Sequence, residues 1–221
     1  MNDRVKKAEA FLREKFENAP VFKDKPAQMN YRLEHSIRVA NIGREIAKRE
    51  GMDQEAFIIA CLLHDVSYCE EFKSREEQIN HGRLSAAIAR PFLQSLGYEG
   101  KMLNEICYGI AIHVDEEADF EGEKNAFTLS VGDADNIDRF DAWRIYESLR
   151  YNLQLEELPL ATRIEKLTLL LNKLTNFRSL PFATATATEM WQEKIDYQLG
   201  FYSRLLNQYK NSTLHETEER I

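Results

Sequence analysis

The stretch EAFIIACLLHDV, Glu55–Val66, is the most apolar part of this sequence, and it decides the fold. Its apolar run, Ala56–Leu63, is far shorter than the roughly 20 residues that cross a bilayer. A helix that is apolar on nearly every side is buried among other helices. Gly51 predicts the end of the preceding helix, and Asp53, just before the run, predicts a helix N-cap. The stretch therefore predicts a central buried helix that ends at His64-Asp65.

Outward from this helix, apolar residues recur three or four positions apart, which predicts further helices on both sides. These stripes include Val5, Ala8, Leu12, Phe16, Val39, Ile42, Ile46, Leu84, Ile88, Leu103, Ile106, Ile164, Leu167, Leu171, Ile195, Leu199 and Tyr202. Helix is also expected over 125–151. The sequence lacks a convincing period-two pattern, and it has only 9 Gly and 5 Pro among 221 residues. The predicted fold class is all-α, as a helical bundle with additional C-terminal helices.

Charge and cysteine content limit the classes of function. The net charge is −8, which disfavours general binding to nucleic acids or anionic membranes, because both need a basic surface. The three cysteines have no paired spacing, and the N-terminus lacks an apolar signal-peptide region. We expect a soluble cytoplasmic protein whose partner is a small molecule; its oligomeric state stays open.

Four of the five histidines stand at ends or faces of the predicted helices, together with aspartates: His35, His64, Asp65, His81, His113, Asp133 and Asp135. The fifth, His215, lies in the polar tail. A single buried histidine is usually a hydrogen-bonded core residue, but four with adjacent carboxylates are harder to explain in that way. Imidazole and carboxylate ligands together suit divalent transition metals. CxxC, HExxH and Gly-rich phosphate-loop motifs do not occur, so the sequence does not support a zinc ribbon, a zincin or a P-loop NTPase.

His35, then LLHDV at Leu62–Val66, then DADNID at Asp133–Asp138, resemble the H…HD…D signature of the HD-domain metal-dependent phosphohydrolases. The resemblance runs from about Tyr31 to Tyr151. The segments NHGRLSAAIA and AIHVD are similar to those of small uncharacterised bacterial HD hydrolases. The resemblance implies one domain over 1–221, with the motif region at 31–151 and a C-terminal helical extension at 152–221. It also implies a site at the centre of a helical bundle.

Carried over residue by residue, the resemblance implies a metal ion held by His35, His64, Asp65 and Asp135. Asp135 is preferred to Asp133 because the family's last ligand belongs to an Ala-Asp pair, although Asp133 stays an alternative. The cofactor would be one or two divalent ions of Mn, Mg, Co, Fe, Ni or Zn.

Further residues are candidates for catalysis: Asp65, His81, His113 and Arg38. His81 and His113 match histidines that bind a second metal or the substrate phosphate in some members; both could instead be core residues. Arg38 shares a helix face with His35 and could contact phosphate, orient Asp65 or form a surface ion pair. Other possible phosphate ligands are Lys73, Arg75, Arg83 and Arg139, and Glu70 or Glu71 could act as general acid.

The resemblance implies a metal-dependent phosphohydrolase that uses a metal-activated water on a nucleotide or another small phosphate ester or anhydride. Two alternatives stay open. One is a catalytically silent binding or sensor module of the HD type. The other is an HD-type oxygenase with a di-iron centre, which the extra histidines would also fit.

Overall fold

The computed structural model describes residues 3–213, and these form ten α-helices without a β-strand, which confirms the all-α prediction. The helices are α1 Asp3–Glu17, α2 Pro26–Glu50, α3 Gln54–Leu63, α4 Arg75–Ile79, α5 His81–Ser95, α6 Gly100–Ile112, α7 Ala126–Arg139, α8 Ala142–Glu147, α9 Leu160–Arg178 and α10 Ala185–Lys210. Short 3-10 turns occur at Pro20–Phe22, Val66–Cys69 and Leu155–Glu157, and a π-helical turn at Ser148–Leu153. His215 lies outside the described residues.

Helix α3 is the centre of the packing, as its sequence predicts. Every residue of Ala56–Leu63 is buried, and α3 packs against α1, α2 and α6. Its N-cap is Asp53, whose Oδ1 accepts a hydrogen bond from the Ala56 amide at 3.0 Å. The preceding helix α2 ends at Gly51 in the left-handed conformation. Both predicted helix boundaries are therefore confirmed. Among residues 3–213, the helices fall short of the length and apolarity needed to span a membrane.

The expected helical region over 125–151 is interrupted. Helix α7 ends at Arg139, and α8 begins at Ala142. Asp141 has an extended backbone, and its side chain accepts a hydrogen bond from the Ala142 amide at 2.7 Å. Because a capping aspartate satisfies the first amides of a new helix, it favours a restart over a continuous helix.

The chain divides into two compact units. The first unit comprises the described residues through Asp138 and also Phe182–Thr188, and the second comprises Arg139–Pro181 and the described residues from Glu189. We call Phe182–Thr188 the returning segment. Asp133 Oδ2 accepts a hydrogen bond from the Ala183 amide at 2.9 Å, and Glu50 Oε1 accepts one from the Thr186 amide at 2.8 Å. Two acidic side chains thus hold the returning segment on the first unit. The division into a motif region over 31–151 and an extension stays a prediction.

Candidate metal centre

Five helices of the first unit bring polar side chains to one place. His35 lies on α2, His64 and Asp65 follow the end of α3, His81 begins α5, His113 follows α6, and Asp135 lies on α7. All are buried except His81, whose side chain keeps 12% of its surface exposed. The structure therefore brings together all the histidines and aspartates that the resemblance implies as ligands.

Asp65 lies between two groups of imidazole nitrogens. Its Oδ2 is 3.6 Å from Nε2 of His35 and 3.6 Å from Nε2 of His64. Its Oδ1 is 3.0 Å from Nε2 of His81 and 3.6 Å from Nε2 of His113. One carboxylate therefore faces two adjacent places where a cation could bind.

Asp135 completes the Oδ2 side of the cluster, whereas Asp133 does not reach it. Asp135 Oδ1 is 3.1 Å from His35 Nε2 and 3.8 Å from His64 Nε2. Asp133, two residues earlier on α7, instead bonds to the returning segment. Residues two apart on a helix point in different directions. The geometry favours Asp135 over Asp133 as a candidate ligand.

Each of the four imidazoles uses Nδ1 to donate a hydrogen bond to an oxygen. His64 donates to the Cys61 carbonyl at 2.7 Å, His81 to the Gln78 carbonyl at 2.6 Å, and His113 to the Ile110 carbonyl at 2.7 Å; His35 donates to Asp138 Oδ2 at 2.7 Å. A carbonyl oxygen can only accept, so the proton is on Nδ1 in those three rings. Nε2 is then the ring atom turned toward the carboxylates, and it can bind a cation when it carries no proton.

Two observations indicate that this donor set fits a metal ion. The buried Nε2 of His64 has no hydrogen-bond partner among the described residues. Nε2 of His81 lies 3.1 Å from Nε2 of His113, so two lone pairs face each other unless a proton or a cation lies between them. A buried polar atom without a partner costs free energy. A cation bound to these nitrogens would remove both penalties.

The buried charges strongly perturb the protonation of the cluster. Burial lowers the pKa of His64 to about 4, so this ring is neutral at pH 7. Burial acts in the same direction on His35, but hydrogen bonds to Asp135 and Asp138 outweigh it and raise the pKa of His35 to about 9. Burial alone would raise the pKa of Asp65, but His64 and hydrogen bonds from His113 and His81 lower it well below its ordinary value.

Asp138 is a supporting residue that sequence reasoning did not assign to the site. Besides accepting from His35 Nδ1, it accepts from Arg38 Nε at 2.7 Å and from Arg38 Nη2 at 3.1 Å. Arg38, considered above as a partner of Asp65, is therefore bound to Asp138 instead. Its catalytic role stays a prediction.

Arg32 is a second residue that sequence reasoning missed. Its Nη1 donates to Asp65 Oδ2 at 3.0 Å, and its guanidinium lies 3.4 Å above the centroid of the Tyr68 ring. The sequence carried one signal for it, because Arg32 stands three residues before His35 and so shares its helix face.

The other candidate cations and acids either bind other groups or are exposed. Arg83 forms two 3.0 Å hydrogen bonds to the carboxylate of Asp115 and also bonds to Asn80. The remaining candidates along the loop and on α4 are exposed: Glu70, Glu71, Lys73 and Arg75. Arg139 ends α7, and its carbonyl accepts from Arg144 Nε at 3.1 Å. Their assigned functions stay predictions.

The main chain at His113 is enclosed by two glycines. A Cβ at Gly82 would lie 2.5 Å from the Ala111 carbonyl oxygen and 3.0 Å from His113 Nδ1. A Cβ at Gly132 would lie 2.8 Å from the His113 carbonyl oxygen. Contacts this short leave no room for a side chain at either position. Close approach of α5 and α7 therefore fixes where His113 stands.

Comparison with known proteins agrees with this geometry. Residues 32–143, just over half of the chain, match the model of the HD domain. The chain is also similar to the crystal structure of a predicted HD superfamily hydrolase from an uncultured Thermotogales bacterium. The match has 22% identity and a TM-score of 0.62, and it covers 92% of both chains. At this identity it shows a shared fold. No curated protein matches the chain.

Proposed function

Because the chain belongs to the HD-domain family, we propose that it is a metal-dependent phosphohydrolase. The proposed substrate is a nucleotide or another small phosphate ester or anhydride. A small substrate is consistent with a net charge of −8, which opposes general binding to nucleic acid.

The observation that carries this proposal is the orientation of four imidazoles around one carboxylate. Their Nδ1 atoms are occupied by hydrogen bonds, and their Nε2 atoms approach both oxygens of Asp65. Outer hydrogen bonds of this kind fix the tautomer and ring orientation of metal ligands. Packing alone would not require the Nε2 atoms of four imidazoles to converge on two buried carboxylates.

His35, His64, Asp65 and Asp135 would hold a divalent ion on the Oδ2 side of Asp65. When bound, such an ion supplies a Lewis acid for the phosphoryl oxygens and lowers the pKa of water. His81 and His113, on the Oδ1 side, would bind either a second ion or the phosphoryl group itself. Asp138 and three main-chain carbonyls hold the rings in place before substrate arrives, so little reorganisation is needed during the reaction.

The test is a screen of nucleotides and small phosphate esters against protein loaded with Mn²⁺, Co²⁺ or Mg²⁺, with phosphate release as the measurement. We expect His64→Ala and Asp65→Ala to lose both bound metal and turnover. Asp53→Ala is the matched control, because Asp53 caps the same helix but lies at its opposite end; it should keep turnover and lose only about 1 kcal/mol of stability. Full turnover by Asp65→Ala would contradict the proposal.

The same preparation separates the two alternative functions. Metal binding without turnover of any phosphate compound would favour a sensor module. Iron as the purified metal, together with substrate-dependent oxygen uptake, would favour an oxygenase.

A further inference from the structure

Three arginines contact residues in or next to the candidate metal centre, and two of them each bind both oxygens of one carboxylate. Arg38 donates through Nε and Nη2 to the two oxygens of Asp138. Arg83 donates through Nη1 and Nη2 to the two oxygens of Asp115, and Nη1 also reaches the Glu117 carbonyl at 2.9 Å. Their charge and their donors are largely used within the protein.

Arg32 is bound differently. Its Nη1 donates to one carboxylate oxygen, Asp65 Oδ2, and the guanidinium also hydrogen-bonds with the side chain of Tyr68. The face of the guanidinium rests on Tyr68, which fixes its plane by cation–π contact. A guanidinium has five N–H donors, and this carboxylate oxygen takes one of them. The Arg32 guanidinium, which lies beside the cluster, thus has further N–H donors that can bind a ligand.

The exposure of Arg32 also distinguishes it from its surroundings. Its side chain is 27% exposed, whereas that of Asp65 is 4% exposed. His35 and His64 are still more buried. A ligand that approaches the Oδ2 side of Asp65 from solvent would therefore meet Arg32.

We propose that Arg32, held flat by Tyr68, binds a phosphoryl oxygen of the substrate next to the metal centre. The proposal rests on the proposed function, since it names a binding residue of the same site. Arginine suits the task because its planar fork matches phosphate and stays charged at every physiological pH. The hydrogen bond to Asp65 places this charge beside a candidate metal ligand, so cation and metal would act on one phosphoryl group.

The experiment uses inorganic phosphate as the probe and the full chain loaded with Mn²⁺. Isothermal titration calorimetry measures first Mn²⁺ binding, then phosphate binding to the loaded protein. We expect Arg32→Gln to weaken phosphate binding at least about tenfold, as loss of a charge-assisted hydrogen bond does, while Mn²⁺ affinity stays the same or rises. Arg32→Lys should restore part of the phosphate affinity. The matched control is Arg13→Gln, which removes an arginine paired with Glu9 on α1 and should leave phosphate binding unchanged.

Two results would overturn the assignment of Arg32. If Arg32→Gln binds phosphate as tightly as the unmodified protein, Arg32 does not contact the ligand, and the proposed function stands. If the variant loses Mn²⁺ affinity as well, Arg32 only holds Asp65 in place. Arg32→Met, which preserves packing on Tyr68, provides a second neutral variant if Arg32→Gln does not fold. An unmodified protein that binds Mn²⁺ but not phosphate would count against the proposed function itself, and the assignment would fail with it.

Discussion

His35 is the one imidazole of the cluster whose Nδ1 is held by a carboxylate, since the other three donate to main-chain carbonyls. A carboxylate partner raises the basicity of a ring more than a carbonyl does, which makes His35 a strong candidate donor to a metal. Arg38 binds the same carboxylate, so it acts on His35 through Asp138.

We therefore expect Asp138→Asn to weaken Mn²⁺ binding about 10- to 100-fold, because asparagine can still accept from His35 but carries no charge. Calorimetric titration of the purified protein measures the change. Asp141→Asn, which alters the cap of α8, is the control and should bind Mn²⁺ normally. Equal affinities for the Asp138 variant and the unmodified protein would show that this carboxylate does not support the site.

Asp133 and Asp135, two of the three aspartates of α7, allow a sharper comparison between single residues. Asp135→Asn should lose at least about tenfold in Mn²⁺ affinity, because it removes a charged ligand atom 3.1 Å from His35 Nε2. Asp133→Asn should bind Mn²⁺ like the unmodified protein, because Asp133 contacts the returning segment. Metal content after dialysis distinguishes them, and the reverse order would make Asp133 the ligand.

Sequence reasoning reached the histidines and aspartates that carry a motif, but not the residues that support them. Asp138 lies 103 positions from His35, and which carboxylate meets a given histidine depends on how two helices pack. Arg32 shares a helix face with His35, but a helix face does not reveal whether its arginine meets solvent, a carboxylate or an aromatic ring.

At the scale of helices, three consecutive residues at the start of α5 contact the end of α6 and the residues that follow it. His81 contributes an imidazole to the cluster, Gly82 allows the main chains to approach, and Arg83 binds Asp115 beyond the end of α6. The separation of His81 and His113 therefore depends on Gly82.

We expect Gly82→Ala to destabilise the protein by about 1–3 kcal/mol, as overpacking does, and to weaken metal binding on the His81 side. Urea unfolding measures the stability and calorimetry the stoichiometry of bound Mn²⁺. Gly200→Ala on α10 is the matched control: nothing lies within 4 Å of its added Cβ, so it should stabilise the helix by about 0.5–1 kcal/mol. A neutral Gly82→Ala would mean that α5 can shift without cost.

The helices themselves were largely predictable, because capping and periodicity are local properties. Asp53 and Gly51 mark their boundaries in the sequence as they do in the structure. The restart at Asp141 was not predicted, since a long helical pattern and a capping aspartate compete and packing decides between them. The close approach of Gly82 to the main chain of α6 was equally unpredictable, because the sequence does not show which atoms lie next to a glycine.

For the whole molecule, the buried thiols affect how stability depends on pH. Cys61, Cys69 and Cys107 are free and buried, and burial raises the pKa of Cys107 to about 11. A folded pKa above the unfolded one favours the neutral thiol, so this contribution to stability is full at neutral pH and is lost as the pH rises toward 11.

Because the thiolate is the reactive form, Cys107 of the native protein should react with iodoacetamide at pH 8 at least about a hundredfold more slowly than in urea. Peptide mass spectrometry over a time course gives the rate at this position. Equal rates in the two solvents would mean that Cys107 is accessible in the native protein.

The returning segment has a consequence for how the protein is made. Every residue of the candidate metal centre has been synthesised once the ribosome passes Asp138, but the amide that bonds to Asp133 belongs to Ala183, 50 positions after Asp133. At about 5–20 residues per second, a ribosome needs roughly 3 to 10 s to cover that distance. During that interval, the part of the first unit that binds the returning segment lacks its partner. Ribosome-bound chains with residues through Pro159 outside the exit tunnel should therefore be cut by protease within this unit more readily than chains in which α10 is outside the tunnel as well.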